Sequence, residues 1–113
     1  MKRYCLALDL IDDEEKIMKY RQFHQKIWPE IAANIRQRGV LDMQIWQIEN
    51  RLFMIMDTQN DYAPLEAEQI AQAEPKNLEW EQLMWQFQQP LSSAKHGEKW
   101  IEMQQIFDLK QQG

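Results

Sequence analysis

The sequence contains little cysteine, glycine or proline. Of its 113 residues, one is Cys, three are Gly and four are Pro. The single thiol, that of Cys5, excludes an intrachain disulfide bond and a zinc site built from cysteines. The small number of Gly and Pro residues argues against long irregular segments. We therefore expect a single domain over residues 1–113 and a reducing, cytoplasmic location.

An excess of basic residues and a long hydrophobic run are also missing. Lys and Arg together number 13 and Asp and Glu 18, so the formal net charge is −5. Nucleic acids and anionic membranes are bound by clustered Lys and Arg, and we expect neither as a partner. The apolar stretch at residues 1–10 is too short to span a membrane and lacks a signal-peptide cleavage region.

The first forty residues predict a strand and then a helical region. Apolar residues alternate with others in residues 4–10, and this period of two is typical of a strand. In residues 14–28 the period becomes 3.6, which predicts a helix with one apolar face. That face carries Ile17, Tyr20, Phe23, His24, Ile27 and Trp28. Pro29 cannot donate the next helical hydrogen bond, so it either kinks this helix or begins a new one, which Gly39 would end.

The remainder of the chain predicts a β-hairpin, two helices and a closing strand. Two apolar runs are separated by only three residues, and so short a connection indicates an antiparallel hairpin. Two helical candidates follow, with Pro75 between them and Pro90 directly after the second. The predicted elements are strands at 40–48 and 52–58, helices at 62–73 and 77–89, and a strand or sheet edge at 100–109.

The resulting order, β-α-β-β-α-β, predicts a ferredoxin-like fold of the α+β class. In this fold an antiparallel sheet carries its helices on one face. The second face of the sheet is left bare, and the five Trp residues supply apolar surface that can cover it. We expect a second copy of the chain to do so, which would give a homodimer of the dimeric α/β-barrel type.

The most informative side chains are Tyr20, His24 and Trp28, which follow one another at intervals of four residues. On one helix, residues at this spacing are neighbours, so a phenol, an imidazole and an indole would lie side by side against the sheet. Histidine is the side chain best matched to proton transfer near neutral pH, which makes His24 a candidate acid or base. The spacing fits equally a histidine buried for stability alone, and both interpretations stay open at this point.

Other polar or reactive side chains give weaker signals. His96 is expected in an exposed loop, and Cys5 is expected to be an inert thiol in the core. No cluster of His, Cys, Asp and Glu has the spacing of a metal site, so none is predicted. No glycine-rich phosphate loop or nucleophile elbow is present.

The segment Tyr20-Arg21-Gln22-Phe23-His24, followed by Ile27-Trp28-Pro29-Glu30, closely resembles the L-rhamnose mutarotase family. The resemblance extends over nearly the whole chain. It includes Met1-Lys2-Arg3-Tyr4, Arg38-Gly39, Arg51-Leu52-Phe53-Met54, the Trp80 to Met84 helix and Ile106-Phe107. It implies a dimeric ferredoxin-like protein without a cofactor, in which His24 is a proton donor and Tyr20 contacts the sugar.

Two positions depart from the pattern of the family. A substrate-contacting tyrosine of the second strand is replaced by Met43, and a Trp-Trp pair is replaced by Trp80-Glu81. In an alternative alignment shifted by one residue, Trp80 is the second member of that pair. The resemblance therefore implies that the substrate-binding residues include Tyr20, Met43, Trp80 and Glu81. We add Trp28 as a second indole that could cover an apolar face of the sugar. The changed positions would alter how sugar hydroxyls are recognised, and by analogy they favour L-fucose over L-rhamnose.

The expected activity is the interconversion of the α and β anomers of a 6-deoxy sugar. His24 would deliver a proton to the ring oxygen, and the partner base would be Glu30, Asp9, Asp57 or a water molecule. Trp80 and Trp28 would cover the methyl group. Two other classes of protein share the fold and remain alternatives: small monooxygenases, cofactor-free or haem-handling, and non-catalytic dimerisation modules.

Overall fold

The computed structural model describes residues 1–113. One long strand, two helices, two long strands and two further helices follow one another along the chain, and two very short strands come after them. The strands are β1 (Lys2–Leu10), β2 (Val40–Ile48), β3 (Arg51–Thr58), β4 (Gln88–Gln89) and β5 (Ile101–Glu102). The helices are α1 (Glu14–Gln25), α2 (Pro29–Gln37), α3 (Pro64–Ala73) and α4 (Pro75–Trp85), and a 3-10 turn covers Leu109–Gln111. None of these helices combines the length and the apolar composition needed to cross a membrane.

The strands form one open antiparallel sheet in the order β2-β3-β1-β4, with β5 also paired to β1. Along the central pair Leu8 lies opposite Leu52, and Leu10 lies opposite Gln88 at the edge. This arrangement confirms the predicted α+β, ferredoxin-like topology. Within one chain the sheet does not close into a barrel.

The predicted helix at 14–28 is wrong at its C-terminal end. Asp13 caps α1 by accepting a hydrogen bond from the Glu15 amide at 3.0 Å, but α1 ends at Gln25. Trp28 has extended backbone angles, φ −60° and ψ 139°, because the ring of a following proline disfavours the helical region for the residue before it. Pro29 therefore begins a new helix, and Gly39 follows that helix with a φ of +99°, which suits glycine.

The predicted closing strand at 100–109 is wrong over most of its length. The sheet edge is instead shared by β4 and β5, with the Pro90 to Trp100 connection between them. Pro90 has no amide hydrogen to continue the ladder, so β4 ends before it. After Glu102 the Met103 amide still bonds the Cys5 carbonyl oxygen at 2.7 Å, and beyond it the chain leaves the sheet.

One face of the sheet carries the helices and the core. Its central cluster is formed by Leu10, Tyr20, Ile31, Leu52, Trp80, Met84 and Phe87. Burying a large apolar side chain contributes roughly 1.5–3 kcal/mol, so these residues hold α1, α2 and α4 on the sheet. Leu78 and Trp85, also on α4, point away from this face and are exposed.

No helix covers the other face of the sheet. Alternation of the paired strands places the half-buried Cys5, Ala7, Phe53 and Ile55 there, together with Trp46, which is 60% exposed. Two ion pairs flank the apolar patch: Arg3–Asp57 at 2.7 Å and Arg51–Asp9 at 2.8 Å. The expectation that Cys5 lies in the core is therefore wrong, because its side chain points to the uncovered face.

Candidate active site

A cavity of about 380 Å³ lies between the helices and the covered face of the sheet. Apolar side chains from the three long strands form its floor, and α1, α2 and α4 supply its walls. Its polar lining consists of Tyr20, His24, Arg38, Tyr62, Glu68, Asn77, Glu81, Gln88 and Lys99. A mostly apolar cavity of this size with a few convergent polar groups is the usual form of a small-molecule site.

The cavity brings together five of the six side chains that the sequence singled out. Tyr20, His24, Met43, Trp80 and Glu81 all line it. The sixth, that of Trp28, does not line the cavity, because the break before Pro29 turns it away from the α1 face. Its ring instead contacts that of Trp80, with the ring centroids 5.1 Å apart.

His24 lies in the last turn of α1 and is fixed by its own helix. Its Nδ1 lies 2.8 Å from the main-chain carbonyl oxygen of Tyr20. A carbonyl oxygen can only accept, so Nδ1 carries the hydrogen, and Nε2 is the nitrogen left to exchange a proton. Burial lowers the pKa of His24, and the bond to the Tyr20 carbonyl only partly opposes this effect. The resting imidazole is therefore neutral near pH 7, with a free lone pair on Nε2.

Tyr20 lies one helical turn before His24, and the two rings stack with centroids 4.2 Å apart. The phenol is only 3% exposed. Gln88 donates a hydrogen bond from Nε2 to the phenolic oxygen over 3.4 Å. Burial raises the pKa of Tyr20 to about 12, so the phenol keeps its hydrogen at physiological pH. A neutral imidazole and a protonated phenol thus lie side by side.

Trp80 forms the aromatic wall of the cavity. Its ring meets that of His24 edge-on at 5.5 Å between centroids, and that of Phe23 at 6.2 Å. Edge-to-face contacts of this kind are worth about 0.5–1.5 kcal/mol beyond the burial of area. Trp80 therefore both restrains the imidazole and offers an apolar surface to a ligand.

A profile of the L-rhamnose mutarotase family matches residues 3–109 of the chain. The chain belongs to the L-rhamnose mutarotase family. Members of this family are isomerases that act on sugars, and the match favours neither a monooxygenase nor a non-catalytic module.

One sequence relative of this mutarotase-family chain agrees with the assignment, and two solved structures agree with the fold. An L-fucose mutarotase of Xanthomonas campestris pv. campestris is 37% identical over 113 residues, which cover 98% of this chain and 90% of the relative. The crystal structure of an L-rhamnose mutarotase from Formosa agariphila has a TM-score of 0.69 at 16% identity, covering 96% of this chain and 99% of that one. A dimeric ferredoxin-like protein from an uncultured marine organism has a TM-score of 0.54 at 10% identity, covering 85% and 98%. The two structures share the fold.

The carboxylates considered as partner bases lie outside the cavity of this mutarotase-family protein. Asp9 and Asp57 are paired with arginines on the uncovered face of the sheet, and Glu30 is exposed at the start of α2. The carboxylates that line the cavity are instead Glu68 and Glu81. The Glu81 carboxylate accepts a hydrogen bond from Lys99 Nζ at 2.5 Å, so it is already partnered.

Several cavity residues were not predicted from the sequence to line a site. Arg38 donates to the side-chain oxygens of Asn34 at 2.8 Å and Asn77 at 3.0 Å, and this network joins α2 to α4. Gln88 lies on a strand of only two residues, too short for any periodicity. Nowhere in the chain do three or more His, Cys, Asp or Glu side chains converge as a metal ion would require.

Proposed function

We propose that this protein interconverts the α and β anomers of a 6-deoxy sugar in the cavity beside His24. The proposal rests on the burial, the hydrogen bonding and the neutral form of that histidine. It is buried among aromatic rings, its Nδ1 is held by the Tyr20 carbonyl, and its neutral form leaves Nε2 able to take up a proton. The imidazole also lines the cavity, where a bound sugar can reach it.

In the proposed reaction, Nε2 moves one proton between two oxygens of the sugar. Neutral His24 accepts the proton of the anomeric hydroxyl; the electrons of that O–H bond form the aldehyde C=O, and the C1–O5 bond breaks with its electron pair on O5. The imidazolium then returns the proton to O5. Both oxygens are bonded to C1, so one nitrogen can serve both. Rotation about C1–C2 and the reverse sequence on the other carbonyl face give the second anomer.

This order of steps makes His24 both the acceptor and the donor of the proton. The resemblance to the family implied that His24 is a proton donor. Because its lowered pKa leaves the imidazole neutral in the resting enzyme, His24 must accept a proton before it can donate one. No second carboxylate is needed, which agrees with the positions of Asp9 and Asp57 on the far face of the sheet. Acid–base catalysis by a positioned side chain contributes about 10²–10⁴ in rate, a range suited to a reaction that also proceeds in water.

We assign to Tyr20 a hydrogen bond from its phenolic O–H to the sugar oxygen on which charge develops. Its raised pKa of about 12 keeps the donor hydrogen in place. Stacking on His24 puts the phenol and the imidazole against the same part of a bound sugar. A donor aimed at developing charge stabilises the transition state more than the ground state.

We propose L-fucose as the preferred sugar. Trp80 and Met43 offer an apolar surface to the C6 methyl group that L-fucose shares with L-rhamnose, and such a surface favours a methyl over a hydroxymethyl group by about 1–3 kcal/mol. Met43 also lacks the hydroxyl that the family's tyrosine would offer, and Glu81 is held by Lys99. The 37% identical relative is an L-fucose mutarotase, which supports the same choice. Trp28 would act indirectly, by holding the ring of Trp80.

We further propose that the protein is a homodimer formed through the uncovered sheet face. That face presents Trp46 beside Phe53 and Ile55, with an ion pair on each flank. The chain after β5 adds apolar side chains that nothing in the same chain covers, including Ile106 at 94% and Phe107 at 64% exposure. A stable interface buries about 800 Å² on each partner, and a second copy would supply that cover.

We also propose that the protein works in the cytoplasm. Its one cysteine, Cys5, is free and only half-buried. A thiol of this kind keeps its reduced form in a reducing compartment.

The experiment that tests the activity is saturation transfer between the anomeric proton resonances of L-fucose, repeated with L-rhamnose. The wild-type protein should accelerate exchange, and His24→Ala should abolish the acceleration. His96→Ala is the matched control, because it removes the other histidine, which is exposed and outside the cavity. Equal acceleration by the wild type and His24→Ala would contradict the proposal.

A further inference from the structure

Gln88 carries a buried side-chain oxygen without a hydrogen-bond partner. Its Oε1 has no partner in the structure, and the residue as a whole is 6% exposed. Buried amide groups are normally paired, because an unpaired carbonyl loses its bonds to water and gains nothing in return. The only side-chain hydrogen bond that the Gln88 amide makes is therefore the one formed by its other atom.

The other atom of the amide, Nε2, donates to the phenolic oxygen of Tyr20 over 3.4 Å. Gln88 is fixed for this contact by β4, where its backbone pairs with Leu10 at the end of β1. Both Gln88 and Tyr20 line the cavity, and no other side chain bonds the phenol. The contact connects β4, at the edge of the sheet, with the turn of α1 that carries Tyr20 and His24.

The direction of this hydrogen bond determines where the phenolic hydrogen can point. A hydroxyl has one hydrogen and two lone pairs. When the Gln88 N–H occupies one lone pair of the Tyr20 oxygen, the phenolic hydrogen is not used by Gln88 and is free for a ligand. If Gln88 offered only an acceptor, the phenolic hydrogen would turn toward it and be lost to the sugar.

We propose that Gln88 is a positioning residue that directs the hydroxyl hydrogen of Tyr20 toward the sugar. The proposal rests on the mutarotase activity proposed above and adds a residue to it. Gln88 acts through Tyr20 and needs no contact with the substrate. With Nε2 directed at Tyr20, Oε1 lies where no donor of the chain reaches it.

Two variants separate a donor from an acceptor at this position. Gln88→Met keeps the volume and removes both functions; kcat should fall by roughly 3- to 10-fold with KM within about 2-fold, the effect of one neutral hydrogen bond. Gln88→Glu introduces a buried carboxyl that can donate when protonated but only accepts when ionised. The kcat of this variant should be near that of the wild type at low pH and should fall as the introduced carboxyl ionises. Its pH profile should therefore show a loss of kcat at high pH, a basic limb that the wild type lacks.

Three controls make the result specific. Gln89→Met changes the neighbouring exposed glutamine of β4 and should leave kcat unchanged. In a Tyr20→Phe background, neither Gln88 variant should lower kcat further, because the group being positioned is gone. A basic limb that persisted in Tyr20→Phe/Gln88→Glu, or full activity of Gln88→Glu through the pH range in which its carboxyl ionises, would overturn the proposal.

A spectroscopic measurement tests the contact even if no sugar is turned over. In protein labelled with 3-fluorotyrosine, the ¹⁹F resonance of Tyr20 is assigned by its loss in Tyr20→Phe. It should shift in Gln88→Met, stay in place in Gln89→Met, and follow pH in Gln88→Glu with the midpoint of the activity loss. A normal set of shifts without any mutarotation would contradict the proposed function alone, whereas mutarotation with an unshifted resonance would contradict the role of Gln88.

Discussion

The Nδ1 atom of His24 lies 2.8 Å from the main-chain oxygen of Tyr20, so the backbone of one catalytic candidate fixes the ring of the other. The two residues are four apart on α1, where a side chain reaches back over the preceding turn. The bond selects the tautomer with a free Nε2. Substitutions can therefore separate the ring of Tyr20 from its hydroxyl without disturbing the orientation of His24.

The activity should depend on the neutral form of His24. Burial lowers the pKa of this residue below its ordinary value of 6.5. We expect kcat/KM to be constant near neutral pH and to fall as the pH drops through the lowered pKa, because protonated Nε2 cannot accept the anomeric proton. The pH profile of anomer exchange measures this limb. A midpoint above 6.5, or an unchanged acid limb in a partly active His24→Gln variant, would contradict it.

The same lowered pKa predicts a loss of stability in acid. The unfolded chain takes up a proton on His24 near pH 6.5, whereas the folded protein does so only at lower pH. Between these two values the unfolded state binds more protons, so the free energy of unfolding falls as the pH is lowered through this window. Urea denaturation between pH 5 and about pH 7.5 should show this fall in the wild type and a smaller one in His24→Asn. His96→Asn should behave as the wild type does.

Tyr20→Phe should lower kcat by roughly 10- to 100-fold and change KM little. A hydrogen bond to a charged group contributes about 1.5–3 kcal/mol, and this one forms as charge develops on the sugar oxygen. The variant retains the ring that stacks on His24. It should also be less stable by about 1–3 kcal/mol, because Nε2 of Gln88 loses its partner. Saturation transfer and urea denaturation measure the two effects; an equal rise in KM with unchanged kcat would indicate a role in binding alone.

Met43→Tyr should shift the sugar preference from L-fucose toward L-rhamnose. Met43 lines the cavity from β2 at the position where the family pattern has a substrate-contacting tyrosine. A hydroxyl there adds a hydrogen bond to the sugar, and a matched bond is worth about 0.5–1.5 kcal/mol. The ratio of kcat/KM for the two sugars should change by roughly 3- to 10-fold, with Met18→Tyr, exposed on α1, as the control. An unchanged ratio would remove Met43 from sugar recognition.

Charges placed on the uncovered sheet face should dissociate the dimer. Trp46→Glu and Phe53→Glu put carboxylates into an apolar patch that a second copy would bury. Sedimentation equilibrium should report the mass of a dimer for the wild type and of a monomer for the double variant. Leu65→Glu is the control, since Leu65 is 82% exposed on α3, away from this face. A wild-type monomer at micromolar concentration would contradict the assembly.

Local patterns predicted most of the fold and the neighbouring positions of Tyr20 and His24. The period change near Asp13 predicted β1 and α1, and intervals of four residues predicted the neighbouring Tyr20 and His24 rings, because both depend on residues close in sequence. The third aromatic residue, Trp28, was misplaced because the steric effect of Pro29 on its predecessor outweighs apolar periodicity.

What the sequence did not predict depends on contacts between distant segments. Gln88 meets Tyr20 across 68 positions, and Arg38 meets Asn77 across 39. Strands β4 and β5 have two residues each and exist only because β1 offers an edge to pair with. Periodicity in the local sequence carries no information about such long-range contacts. It therefore did not predict which polar side chains these contacts bring to the cavity.

The break between α1 and α2 has an electrostatic consequence for His24. An uninterrupted helix from Glu14 to Gln37 would place this residue in mid-helix, where the peptide dipoles of neighbouring turns leave no exposed end. Because α1 ends at Gln25, His24 lies in the last turn, beside the partial negative charge of the final carbonyl groups. A helix C-terminus favours a nearby cation by about 0.3–1 kcal/mol. Pro29, which separates α1 from α2, thereby leaves His24 beside a helix C-terminus. The partial negative charge of that C-terminus stabilises the imidazolium form of His24 while it carries the proton.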